Sequence, residues 1–214
     1  MIDLVLAAPG NKVYIVYVEP DTILAMVAGP RRTAALAAWV QGLYPAGEEP
    51  VLVGGAAVEL YTGGAYTTGD VDLVGHVPAA VARGLTSAGF RRRGRHWIHE
   101  AGQVFLEFPS AALREGETVV RIRVGSVEVS VVSPEDALVD RLAAWQHWRS
   151  AIDGVNAYLL FAAQRRALNT RRLRARAAAM DAQPALAALR RFARRKNQKR
   201  VRQENLERWA QQSP

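Results

Sequence analysis

The chain changes character at one point. Up to residue 132 its apolar residues fall in short β-patterned runs separated by Gly, Pro and polar turns. From Ser133-Pro134-Glu135-Asp136 to Gln212 nearly every segment carries helical spacing. Ser as N-cap, Pro at the first helical position and two acids in the first turn make that tetrapeptide a clear helix start. The expected fold class is therefore α+β: a mixed β-sheet with flanking helices over 1–132, then an all-α region over 133–214, basic from 165. At 214 residues the prior is one domain, or one domain with an appendage.

Within the first part, Ile2–Ala7 and Lys12–Val18 are expected to pair as a hairpin around Ala8-Pro9-Gly10-Asn11. Further strands are expected at Val51–Val53, Val71–Val74, His96–Glu100 with Val104–Phe108, and Val119–Val124 with Val127–Val132. Leu36, Trp39, Val40 and Leu43 predict a helix over Thr33–Leu43. Others are expected at Ala56–Tyr61 and at Pro78–Ala88, the latter closed by Gly89. In the second part, helix breaks are expected near Gly154, Asn169 and Pro184.

Charge is distributed unevenly. Residues 165–214 hold 15 Lys+Arg against 3 acids, and residues 1–164 hold 13 against 17, together the net +8. Of the 28 basic residues 25 are Arg. A GC-biased genome accounts for Arg over Lys but not for its crowding at one end. Leu168, Leu173, Ala177 and Met180, then Leu186, Leu189, Phe192 and Ala193, recur at helical spacing with Arg between them, which describes amphipathic basic helices. Such helices fit a polyanion: RNA (tRNA) first, an acidic partner protein second. The candidate contacts are Arg171, Arg172, Arg174, Arg190, Arg191, Arg194 and Arg195.

No cysteine is present, which excludes a disulfide framework, a thiol nucleophile and a zinc-thiolate site. The start, Met1 to Val5, carries Asp3 and lacks the basic region of a secretory signal, and no apolar run is long enough to span a membrane. The expectation is a cytoplasmic protein with no membrane partner.

The stretch richest in chemistry is Val51-Leu52-Val53-Gly54-Gly55, followed after a gap by Gly69-Asp70-Val71-Asp72-Leu73. Side chains alternate along a strand, so Asp70 and Asp72 share a face while Val71 and Leu73 point the other way. Two neighbouring carboxylates repel unless a cation sits between them. Oxygen ligands of this kind suit Mg²⁺, or Mn²⁺, with substrate phosphates completing the shell. A Gly-Gly turn after a strand leaves backbone N–H groups free and no side chain to block a triphosphate.

These features resemble the nucleotidyltransferase superfamily of DNA polymerase beta. They are most similar to its small bacterial abortive-infection and toxin-type members. Those proteins often read Gly-Gly-x-Ala, Thr-x-Asp-hydrophobic-Asp, then Ser-Pro-Glu-Asp at a helix start. Here the corresponding residues are Gly54-Gly55-Ala56-Ala57, Thr68-Gly69-Asp70-Val71-Asp72 and Ser133-Pro134-Glu135-Asp136, and the resemblance spans about 51–161. It implies a nucleotidyltransferase-type mixed sheet and a two-metal enzyme that moves a nucleoside monophosphate from an NTP to an acceptor. RNA is the favoured acceptor, in a toxin–antitoxin setting with a cognate partner. It also implies catalytic and metal-binding Asp70 and Asp72, nucleotide-binding Gly54, Gly55 and Thr68, and a basic residue after Ser-Pro-Glu-Asp, for which Arg141 and Arg149 are candidates.

The resemblance also implies a third carboxylate on a later strand, for which Glu107, the one acid in a hydrophobic run, is favoured over Glu128. Relatives commonly have Asp there. The Gly55 to Asp70 gap is slightly long and implies an extended turn at Thr62-Gly63-Gly64.

Simpler roles fit other residues. The spacings of His76, His96, His99 and His147 do not fit zinc, and Trp145 and Trp148 read as helix packing. Asp140 and Asp153 are expected to pair with an arginine or cap a helix. The run Arg91-Arg92-Arg93-Gly94-Arg95 suits either a phosphate or a solvated hairpin leader. An inactive transferase scaffold that binds RNA, or a regulator that clasps an acidic protein, is the alternative function.

Overall fold

The structure is a computed structural model that describes residues 4–6, 19–195, 201–212 and 214. Two compact units meet at the Ser133–Pro134 bond. The expected N-terminal hairpin lies outside the described residues apart from a short strand, β1 (Leu4–Leu6).

The first unit is a mixed sheet with helices. After β1 come α1 (Pro20–Leu24), α2 (Pro30–Gln41), β2 (Val51–Val53), α3 (Gly54–Thr62), β3 (Asp70–Val74), α4 (Ala79–Ser87), β4 (Arg91–Arg93), β5 (His96–His99), β6 (Val104–Glu107), β7 (Val119–Val124) and β8 (Val127–Val132). Seven strands plus the short edge strand β1 give the order β1-β7-β8-β2-β3-β6-β5-β4. The pairs β2/β8 and β3/β6 are parallel and the remainder antiparallel.

Register sorts the side chains. Leu52 stands against Leu73 and Val131, Val71 against Leu106, and Leu106 against Trp97, all of them buried on one face. α2 packs on β8 and α3 on β2 and β3, and the apolar residues of these helices supply the other half of this core. The opposite face carries Val53, Asp70, Asp72, Phe105 and Glu107 and is only partly covered. Two short elements lack periodicity long enough to be read from sequence: α1 and β4. β4 is an edge strand of three exposed arginines, and such charge discourages a further strand from adding there.

The second unit is helical: α5 (Pro134–Trp148), α6 (Ala151–Gln164), α7 (Thr170–Ala179), α8 (Gln183–Arg195) and α9 (Gln203–Gln212). Leu138, Leu142, Trp145, Leu160, Leu173 and Leu189 form its core. The indole N–H of Trp145 donates to the Ala210 carbonyl at 2.8 Å, and Trp209 stacks on Phe192 with centroids 4.4 Å apart. These contacts tie α9 to α5 and α8.

The expected break at Gly154 is corrected here. The turn falls at Arg149 and Ser150, with Arg149 in the left-handed region (φ 53°), and Gly154 lies inside α6. A Cβ on Gly154 would come within 2.8 Å of Trp145 Nε1, so the glycine serves close helix packing. Trp148, read as packing, is instead 80% exposed because α5 ends there. The break at Asn169 is a proper N-cap: its side chain accepts from the N–H groups of Arg171 and Arg172, each at 3.1 Å.

Candidate active site

Chain direction reverses sharply where β2 runs into α3. Gly54 has φ +61°, and a Cβ there would lie 2.2 Å from Asp72 Oδ2, which any side chain at that position would collide with. A Cβ on Gly55 would lie 2.9 Å from Thr68 Oγ1. The two glycines therefore let the first turn of α3 close over Asp72 and Thr68. Val53, the N-cap, supplies no side-chain acceptor, so the turn presents backbone N–H groups and the positive end of the helix dipole beside the carboxylate.

Asp70 and Asp72 lie on one face of β3, with Asp70 exposed and Asp72 half-buried. Successive same-face residues are about 7 Å apart along a strand. Glu107 stands directly opposite Asp72 across the parallel β3/β6 pair, at the spacing of neighbouring strands, about 4.8 Å. Glu128 stands opposite Arg123 at the other end of the sheet and pairs with Arg121 at 3.4 Å. Register thus brings Glu107, and not Glu128, level with the aspartates. Its carboxylate is met from the β4–β5 turn and the start of β5, by Arg95 Nε at 2.7 Å and His96 Nε2 at 3.3 Å.

Carboxylate oxygens beside a helix N-terminus are the donor chemistry that suits a hydrated Mg²⁺ with phosphate ligands. Asp70 and Asp72 fit that role as a pair. Among the described residues, however, no three Asp, Glu or His side chains form a metal-binding group.

The loop between α3 and β3 has a support that sequence reading overlooked. Glu59 lies in the middle of α3 and is 1% exposed. Its carboxylate accepts from Thr33 Oγ1 at 2.8 Å and from the Thr68 backbone N–H. Burial raises its pKa, and the two hydrogen bonds only partly oppose that. Thr68 in turn offers Oγ1 to the Asp70 N–H at 3.4 Å, a long contact. The signal was present: Glu59 is the one acid in Ala56-Ala57-Val58-Glu59-Leu60-Tyr61, the same pattern that singled out Glu107. The turn at Thr62-Gly63-Gly64 ends α3, with Gly63 in the left-handed region.

The other candidates belong to the helical unit. Arg141 is bound to Asp140 at 2.5 Å and to Asp153 at 2.7 Å, so the two aspartates expected to be structural hold the very arginine expected to meet phosphate. Arg149 occupies the α5–α6 turn. Glu135 accepts from the Asn169 N–H at 2.6 Å, and the buried Asp136 carboxylate binds Arg172 and Arg176, the latter at 2.7 Å. The Glu-Asp of Ser-Pro-Glu-Asp thereby anchors α7. Arg171, Arg174, Arg191 and Arg194 are exposed and Arg190 is half-buried, while the side chain of Arg195 lies outside what the structure describes.

His99 is structural: Nδ1 accepts from the Gly102 N–H at 2.9 Å and the ring packs on Phe90. No helix among the described residues is long and apolar enough to cross a membrane. Comparison with protein-family models, with curated proteins and with solved structures gave no match.

Proposed function

We propose that the first unit is a Mg²⁺-dependent nucleotidyltransferase that moves a nucleoside monophosphate from an NTP to an RNA acceptor. The observation that carries this reading is the seating of Gly54 on the Asp72 carboxylate, with Asp70 on the same strand face. A strand that turns on two glycines beside paired carboxylates suits little besides a metal–phosphate ligand. Asp70 and Asp72 would hold the metal, which supplies charge neutralisation at the phosphates when bound.

The chain's own groups do the rest. The N–H groups at the start of α3 bind phosphate oxygens and orient the triphosphate. Thr68, fixed by Glu59, keeps Asp70 at the mouth of the site. Glu107, opposite Asp72, accepts the proton of the attacking hydroxyl, and Arg95 and His96 hold it in line. The hydroxyl oxygen bonds to the α-phosphorus, the bond to the β-phosphate bridging oxygen breaks, and pyrophosphate leaves.

The test is to incubate the protein with each α-labelled NTP, Mg²⁺ and total RNA. Label should enter a discrete RNA class with wild type and be lost with Asp70→Asn. Equal labelling by both proteins sinks the reading. A second reading, an inactive scaffold that binds RNA, draws on the Arg95–Glu107 ion pair and on the lack of a three-ligand group among the described residues. It predicts binding without pyrophosphate release from any NTP.

A further inference from the structure

The helical unit contains a cavity for which transfer chemistry has no use. α6, α7 and α8 enclose about 240 Å³ over an apolar floor that includes Phe161 and Leu173, and its rim carries Arg165, Arg174, Arg190 and Arg194. A second groove, about 360 Å³, shares Arg174, Arg190 and Arg194 with the first and adds Arg191. No ion pair joins any of these five arginines to a carboxylate among the described residues. Their neighbours Arg172 and Arg176, on another face of α7, are both bound to Asp136.

Gathering guanidinium groups without a counter-charge opposes folding, since like charges repel across a partly desolvated space. Burial, and after it the charges of Arg174 and Arg194, lowers the Arg190 pKa from its ordinary value. The hydrophobic core does not need this convergence: Leu186 and Leu189 face inward from α8 without it. A cluster that costs stability and that the core does not require is explained by a ligand of opposite charge.

Size and shape narrow that ligand. The first cavity is smaller than the roughly 300–1,000 Å³ usual for whole small-molecule sites, so it suits one phosphate with its sugar better than a nucleoside triphosphate. Planar guanidinium forks bind phosphate oxygens in pairs, and their faces and an apolar floor accept a sugar or base. Two grooves that share three arginines suit successive phosphates of one strand. We infer that this arginine-rimmed double groove is the phosphate-backbone site for a single-stranded nucleic acid. The choice of RNA rests on the acceptor proposed above, whereas the phosphate site itself stands without the transferase chemistry.

The test is fluorescence anisotropy of a short labelled single-stranded RNA with the full chain in EDTA, where no metal-dependent transfer occurs. Arg174→Gln with Arg190→Gln should weaken binding about tenfold or more. The double variant should also reduce the slope of log K against log salt by about one per arginine removed. Arg31→Gln with Arg83→Gln, an equal charge loss at exposed positions on α2 and α4 of the other unit, should leave affinity within about twofold. Arg190→Gln should melt at or above the wild-type temperature. Weakening by the groove double variant no greater than that of Arg31→Gln with Arg83→Gln overturns the site. Polyglutamate competing as well as RNA would instead identify an acidic protein as the ligand, and inorganic phosphate competing equally per phosphate would identify a free anion; either overturns a nucleic-acid site. Transfer that fails while this binding survives removes only the catalytic reading, and the converse removes only this one.

Discussion

In the sheet unit the acids divide into two kinds, and in the helical unit the arginines divide the same way. Glu107 meets Arg95 of the β4–β5 turn, Glu128 meets Arg121 on the neighbouring strand, and Arg172 and Arg176 meet Asp136. Asp70 and Asp72 share one strand face beside the Gly54 turn, and Arg174, Arg190 and Arg194 crowd around shared grooves. Each unit thus pairs some charges across its own elements and sets others side by side as like neighbours. On the proposed function, the difference separates charge that builds the fold from charge positioned for a ligand: a cation with its phosphate in one unit, a phosphate chain in the other.

The largest effect is expected where a balanced charge is unbalanced. Asp136→Ala leaves Arg176, buried, and Arg172 without their carboxylate, and should cost about 3–5 kcal/mol in urea denaturation. If Arg190→Gln were equally destabilising, the distinction between the two arginine groups would fail.

Gly54→Ala comes next. Left-handed strain alone costs about 1–2 kcal/mol, and the 2.2 Å approach to Asp72 adds to it. Melting should fall, and nucleotide transfer should fall further than melting explains, because the new methyl displaces the carboxylate. Loss of stability with full activity would separate the turn from the site.

Glu59 tests the boundary between the two kinds of charge, being a buried acid balanced by hydrogen bonds alone. Its raised pKa means the folded state holds a proton that the unfolded state has released. Its contribution to stability is therefore full below the ordinary glutamate value of 4.5 and is lost as pH rises through the higher folded value. Glu59→Gln should flatten that part of the stability–pH curve, and an unchanged slope would show that the carboxyl titrates normally. The smallest effect belongs to the exposed Arg93–Glu100 pair, 3.3 Å apart: Arg93→Ala should change stability by less than about 1 kcal/mol.

Local features were readable from the sequence. Val119–Val124 and Val127–Val132 show their alternation and tight Gly-Ser turn directly, and Pro134 marks the start of α5. What depended on distant partners was not. Gly154 looks like a helix breaker until Trp145 is packed against it. The placement of Glu107 beside Asp72 comes from a parallel strand pair whose register no local pattern encodes. Arg172 and Arg174 are indistinguishable in sequence, and only the fold of α7 against Asp136 sorts one from the other. The strand, the glycine turn and the paired aspartates were legible because their geometry is set within a few residues.

Asp70 carries the central claim, so pyrophosphate release with each NTP, Mg²⁺ and total RNA, compared between wild type and Asp70→Asn, tests it most directly. Transfer chemistry at Asp70 predicts release with at least one NTP and a fall of about 10²–10³-fold or more in the variant. Equal release by both proteins, or none from wild type that still binds RNA, would contradict it.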